Sequence, residues 1–163
     1  MLRVISQNIK NYGIEVPSDT ILRINLAWCN SIKQLKDILG KHKNNSIFLD
    51  LPIKRIKPPN NKYTLDDLVP VISSYSQIKY FAISNVESSG DLEEYVQKIP
   101  ANIILVPKIE SPMAIQNVSE IVNAIPSKEK ILMLDHDDLF STIIMNKESY
   151  DVFQNYIKKL VDF

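Results

Sequence analysis

Lys108 and Glu110 stand two positions apart in Pro107-Lys108-Ile109-Glu110-Ser111, at the end of an apolar run. Strand side chains alternate between faces, so this spacing projects an ammonium and a carboxylate into one site. Further polar residues close other apolar runs. Arg23 and Asn25 lie two apart in one, Asp50 ends a second, Ser84-Asn85 end a third, and Asp135-His136-Asp137-Asp138 end the last. A cation among carboxylates can handle charge that develops on a small, oxygen-rich substrate. Plainer roles stand beside that one. Lys108 can be a solvated lysine, Arg23 an ion-pair partner of Asp50, and the Asp135–Asp138 stretch a loop or the cap of a helix from Leu139.

The elements that must position these residues are legible as apolar runs at Thr20–Ala27, Ser46–Leu51, Ile78–Ser84, Asn102–Lys108 and Lys130–Asp135. Each is followed by a helix-like stretch, and the runs recur at roughly the 30 residues of a βαβ unit. They are nearly continuous rather than alternating, as in parallel strands covered on both faces. The sequence is therefore expected to form an α/β fold of parallel β/α units, with Met1–Ser6 as a possible additional first strand. Helix starts are expected after Asn30, with Gly40 as that helix's stop, at Thr64 with Asp67 as a capping box, and at Ser88 or Ser89. Ser111-Pro112 opens Met113–Ala124, and Asn146–Val161 closes the chain. Pro70 would break a helix spanning Leu65–Tyr75, so that helix is expected to start properly at Pro70. Lys57-Pro58-Pro59-Asn60-Asn61 reads as a loop. In parallel α/β folds ligands bind beyond the carboxyl ends of the strands, where the polar residues above are concentrated.

The 163 residues are 45% hydrophobic and 23% charged, an ordinary globular composition expected to form a single domain. Nineteen basic residues balance nineteen acidic ones, which argues against a dedicated nucleic-acid or membrane-surface binder. The sequence shows no span-length apolar run and no hydrophobic signal core, so a cytoplasmic location is expected. One cysteine, Cys29, and two histidines cannot build a Cys/His zinc cluster. With Gly13, Gly40 and Gly90 the only glycines, neither the dinucleotide-binding turn nor the Walker loop can form. Trp28 and Cys29 are expected to pack, as are Met145, Tyr150, Phe153 and Tyr156 along a helix face.

The order of the motifs resembles the catalytic barrel of pyruvate kinase and the wider superfamily of barrels that bind phosphoenolpyruvate or pyruvate, citrate-lyase-type aldolases included. Pro107-Lys108-Ile109-Glu110-Ser111 followed by Asn117-Val118-Ser119-Glu120-Ile121 resembles that family's K-I-E strand end and N-x-x-E-I helix. Leu22-Arg23-Ile24-Asn25-Leu26, Phe48-Leu49-Asp50-Leu51, Thr64-Leu65-Asp66-Asp67, Phe81–Ser84 with Gly90-Asp91-Leu92, and Asp137-Asp138-Leu139 resemble further family segments in the same order. The resemblance implies a TIM-type barrel in which Glu110 and Asp138 carry magnesium or manganese and Lys108 neutralises charge on a phosphoryl or enolate oxygen. It makes Arg23 a phosphate or carboxylate contact and places Asn25, Asp50, Arg55 and Ser84 with it on the substrate side. It matches Asn25 and Asp50 to a potassium site. The chemistry is coherent in itself, because an enolate has two adjacent oxygens and a metal with a lysine stabilises the charge on them. The helix start at Ser111 could add backbone N–H groups for an anion.

Departures from the family narrow what the resemblance implies. Arg55 reaches Thr64 through one short loop, where pyruvate kinase inserts a nucleotide lid, which argues against phosphorylation of ADP. Ala27 replaces a cation-site serine, which weighs against potassium. Asp137 and Phe140 replace the glycines that flank the family's metal-binding aspartate. A full barrel needs at least about 200 residues, so a partial or shortened TIM-type barrel is expected, with its open edges covered by the terminal helix Ser149–Phe163, by self-association or by a partner chain. Two functions follow. One is a divalent-metal-dependent enzyme, a lyase, aldolase or phosphoryl transferase acting on phosphoenolpyruvate, pyruvate or a related small keto acid or phosphate ester. The other is a non-catalytic shortened relative that serves as a binding or assembly module.

Overall fold

Six parallel strands form one curled sheet in a computed structural model that describes residues 3–7, 16–54 and 58–163. They are β1 (Arg3–Gln7), β2 (Thr20–Asn25), β3 (Ser46–Leu51), β4 (Ile78–Ile83), β5 (Ile104–Ile109) and β6 (Met133–Leu134). Each strand pairs with the next in sequence, giving the order β1-β2-β3-β4-β5-β6. The helices are α1 (Ile32–Lys41), α2 (Leu65–Ser74), α3 (Glu93–Lys98), α4 (Pro112–Gln116), α5 (Val118–Ala124), α6 (His136–Met145) and α7 (Tyr150–Val161). The architecture is the expected α/β fold, a half-barrel of β/α units. Among the described residues, no helix is long and apolar enough to cross a membrane.

The two faces of the sheet are filled differently. Leu22, Ile24, Leu49, Phe81, Leu105 and Ile109 alternate onto the helix-covered face and are buried. There they meet Leu35 and Leu39 of α1 and Leu65, Leu68, Val71 and Ile72 of α2 in one core. Full burial of such a side chain contributes roughly 1.5–3 kcal/mol, so this layer fixes the sheet. The concave face carries Val4, Ile21, Arg23, Phe48, Tyr80 and Val106, which line an open apolar trough of about 390 Å³. Phe48 and Tyr80 stack there with ring centroids 5.8 Å apart. Strands covered on both faces were expected. Filling a barrel interior takes side chains from eight strands, and six leave the lumen partly open among the described residues.

Several local expectations give way to stronger signals. The helix after β3 starts at Leu65 rather than at Pro70. The Thr64–Asp67 capping box satisfies its first turn, and buried Leu65 and Leu68 anchor it, so Pro70 is accommodated inside. Helix α1 is capped by Ser31, whose Oγ accepts from Gln34 N–H, and it runs through Gly40 to Lys41. Helices α4 and α5 break at Asn117, whose side chain donates to the Glu87 carbonyl. The run Lys130–Asp135 contributes only Met133–Leu134 as strand, because only Lys108 and Ile109 pair with it. Residues 141–145 belong to α6, and the closing helix starts at Tyr150 rather than Asn146. Helix α7 packs against α4 and α6, with Phe153 meeting Phe140 edge-on at 5.5 Å.

Candidate functional site

Beyond the carboxyl ends of β3, β4 and β5, Lys108 and Glu110 project from β5 and its first following residue into a cleft of about 140 Å³. Both are nearly buried, at 4% and 5% exposure. Lys108 Nζ lies 2.5 Å from Glu110 Oε1 and 3.2 Å from Asp135 Oδ2, and it donates to Ser84 Oγ at 3.2 Å. The other Glu110 oxygen, Oε2, accepts from the Asn85 backbone N–H at 2.7 Å. Asn85 presents that N–H from a left-handed backbone, with φ 55°, which asparagine tolerates better than most residues. Its side-chain amide donates to the Ile53 carbonyl at 2.6 Å and ties the end of β4 to the segment after β3.

Helix α6 forms the opposite wall. Asp135 caps it by accepting from Asp138 N–H, so one carboxylate both starts the helix and faces Lys108. Asp138, Ser141, Thr142 and Met145 recur at helical spacing and line the cleft. Leu139 and Ile143, on another side of the helix, are buried and hold it down. Thr142 Oγ1 donates to the Asp138 carbonyl at 2.9 Å and lies 3.4 Å from the Glu110 carbonyl.

Charge in this cleft is tightly coupled. Burial pulls the Lys108 pKa down, but the carboxylates of Asp50, Glu110 and Asp135 outweigh it and hold the ammonium charged, with a pKa above its usual value. Burial pushes Glu110 up, and neither Lys108 nor the Asn85 N–H fully reverses that push. Glu110, Asp135 and Asp138 each bring one ligand atom to within 4.8 Å of the others. Three carboxylates with no soft donor fit a hard divalent cation such as magnesium or manganese. The partners of Glu110 do not use up its donor capacity, because each carboxylate oxygen carries two lone pairs.

The structure brings together Ser84, Lys108, Glu110 and Asp138 and places the remaining candidates elsewhere. Arg23 pairs with the fully buried Asp50 on the concave face, and its other terminal nitrogen, Nη1, donates to Ser6 Oγ at 3.2 Å. Asp50 Oδ1 and Arg23 Nε, also buried, have no hydrogen-bond partner. The Asn25 carboxamide accepts from Ala27 N–H and caps a short 3-10 turn over Leu26–Trp28. Arg55 lies outside the described residues. His136 and Asp137 are exposed at 3.1 Å from each other. Sequence reasoning left Asp135 among loop and cap residues, named Asn85 only as a polar residue at a strand end, and did not single out Lys54 or Thr142. The Asp135-x-x-Asp138 spacing is a cap signal, and nothing local told that the capping carboxylate would also reach Lys108.

No family model and no curated protein matches the sequence. Solved structures do match in fold. RipC from Yersinia pestis aligns over 99% of this chain and 70% of its own, with a TM-score of 0.61 and 16% identity. A pyruvate kinase from Pyrobaculum aerophilum aligns over 96% of this chain, with a TM-score of 0.65 and 15% identity. The chain spans 54% of that kinase's length.

Proposed function

We propose that the cleft binds a divalent cation through Glu110 and Asp138, with Asp135 beside them, and acts on phosphoenolpyruvate, pyruvate or a related small keto acid by way of an enolate. The observation that carries this reading is a nearly buried lysine held between two carboxylates, with a third carboxylate within ligand distance of both. The fold likeness to a pyruvate kinase supports it at the level of architecture. When bound, a magnesium or manganese ion supplies a Lewis acid for the keto oxygen. Lys108, kept charged by its carboxylate neighbours, balances negative charge that develops on an enolate or phosphoryl oxygen. Lyase or aldolase cleavage next to a keto group and phosphoryl transfer from phosphoenolpyruvate each pass through such an enolate, and the short Arg55–Thr64 connection weighs against phosphorylation of a nucleotide.

Titration calorimetry with manganese tests the cation site. Wild type is expected to bind, and Glu110→Gln and Asp138→Asn, verified as folded by circular dichroism, are expected to bind far more weakly. Unchanged affinity in both variants contradicts the reading. The non-catalytic alternative rests on the open concave trough, which six strands leave unfilled. Turnover of any keto acid that disappears in Lys108→Ala would eliminate it.

A further inference from the structure

Lys54 lines the same cleft, and the enolate reading leaves it unused. It follows β3 with φ 55°, a left-handed conformation that glycine adopts freely and a residue with a Cβ adopts at a cost. Two bonds hold the segment in place. Ile53 N–H donates to the Leu51 carbonyl at 3.0 Å, and the Asn85 side chain donates to the Ile53 carbonyl at 2.6 Å. Such strain persists only where the surroundings over-determine it, and it concentrates at ligand contacts. The charges differ in the same sense. Lys108 is held between Glu110 and Asp135, whereas no carboxylate lies within ion-pair distance of Lys54 among the described residues. Its charge reaches Asp91 only over a longer range.

We propose that Lys54 is the specificity-determining contact for a second anionic group of the substrate. This rests on the enolate reading and deepens it: the substrate is a small acid that presents one oxygen pair to the carboxylate cluster and a further carboxylate or phosphate to Lys54. An ammonium serves either group, since it acts as a point charge without the planar fork of arginine. Cleft volume restricts the acid to a small one.

Calorimetry in magnesium with oxalate, 2-phosphoglycolate and L-malate tests the assignment on wild type, Lys54→Gln and Lys54→Gly. Oxalate reports the carboxylate cluster alone, and the longer acids add a distal phosphate or carboxylate. Both substitutions are expected to weaken the preferred longer acid about tenfold and to leave oxalate within about twofold. Lys54→Gly is also expected to melt no lower than wild type, because glycine accepts the left-handed backbone. A loss confined to 2-phosphoglycolate identifies a phosphate, and one confined to L-malate identifies a carboxylate. If wild type binds oxalate but neither longer acid, or if both variants bind the longer acids within about twofold of wild type, the role of Lys54 is overturned while the enolate reading stands. Failure of wild type to bind oxalate overturns both.

Discussion

Lys108 and Glu110 hold each other in place, and neither is stable in the cleft without its partner. A buried ion pair adds little net stability, but removal of one member strands a charge at a cost of about 3–5 kcal/mol. Lys108→Met is therefore expected to lower the unfolding free energy by that amount in urea titrations at pH 7. A second change, Glu110→Leu, is expected to restore most of it, because two apolar side chains then fill the space. The pairing was legible from the Lys-x-Glu spacing at the end of an apolar run. Asp135 was not, because a cap and a partner for a buried lysine carry the same local signature. Asn85 was visible as a polar residue at a strand end, but its role was not, since what it gives Glu110 is a backbone N–H.

At the scale of elements, the helix ends decide where the cleft walls stand. Helix α6 stops in a Schellman arrangement, with Lys147 N–H donating to the Ile144 carbonyl and Glu148 N–H to the Ile143 carbonyl. Lys147 occupies the left-handed position with φ 58°. Lys147→Gly removes a steric penalty there but gains unfolded-chain entropy, so a net stabilisation of about 0.5–1 kcal/mol is expected from thermal melts. The turn before α3 depends on Asp91, which accepts from the N–H groups of Glu87 and Ser88. Burial opposes ionisation of Asp91, yet those two N–H groups and the Ser88 hydroxyl hold its carboxyl below the usual range. A lowered native pKa gives stability that is present above the unfolded value, about 3.9, and lost as pH falls through the native one. Asp91→Ala is thus expected to cost about 1 kcal/mol at pH 7 and progressively less in acid. Denaturation at pH 7 and pH 3 checks the convergence. Helix α6 itself was half legible. The β-branched run Thr142-Ile143-Ile144 favours a strand in isolation, whereas the Asp135 cap and the burial of Leu139 and Ile143, four residues apart, favour the helix, and burial prevails.

Across the whole molecule, the apolar runs made the parallel sheet readable, because strands buried against helices need continuous Ile, Leu and Phe. That the barrel stays partial was readable from the length and the number of runs; which side chains line the open lumen was not, since the runs are apolar on both faces. One hydrophobic core joins residues from β2 to α6. Unfolding is accordingly expected as one cooperative transition, coincident by far- and near-ultraviolet circular dichroism, and two separated transitions would contradict a single domain.

Lys108 and the three carboxylates are proposed to build a cation-dependent site for an enolate. The most direct measurement is calorimetric titration of oxalate, a planar mimic of enolpyruvate, into wild type with and without magnesium and into Glu110→Gln with magnesium. Binding that requires the ion and disappears in the variant is the predicted result. No binding at millimolar oxalate, or binding indifferent to both magnesium and Glu110, would contradict it.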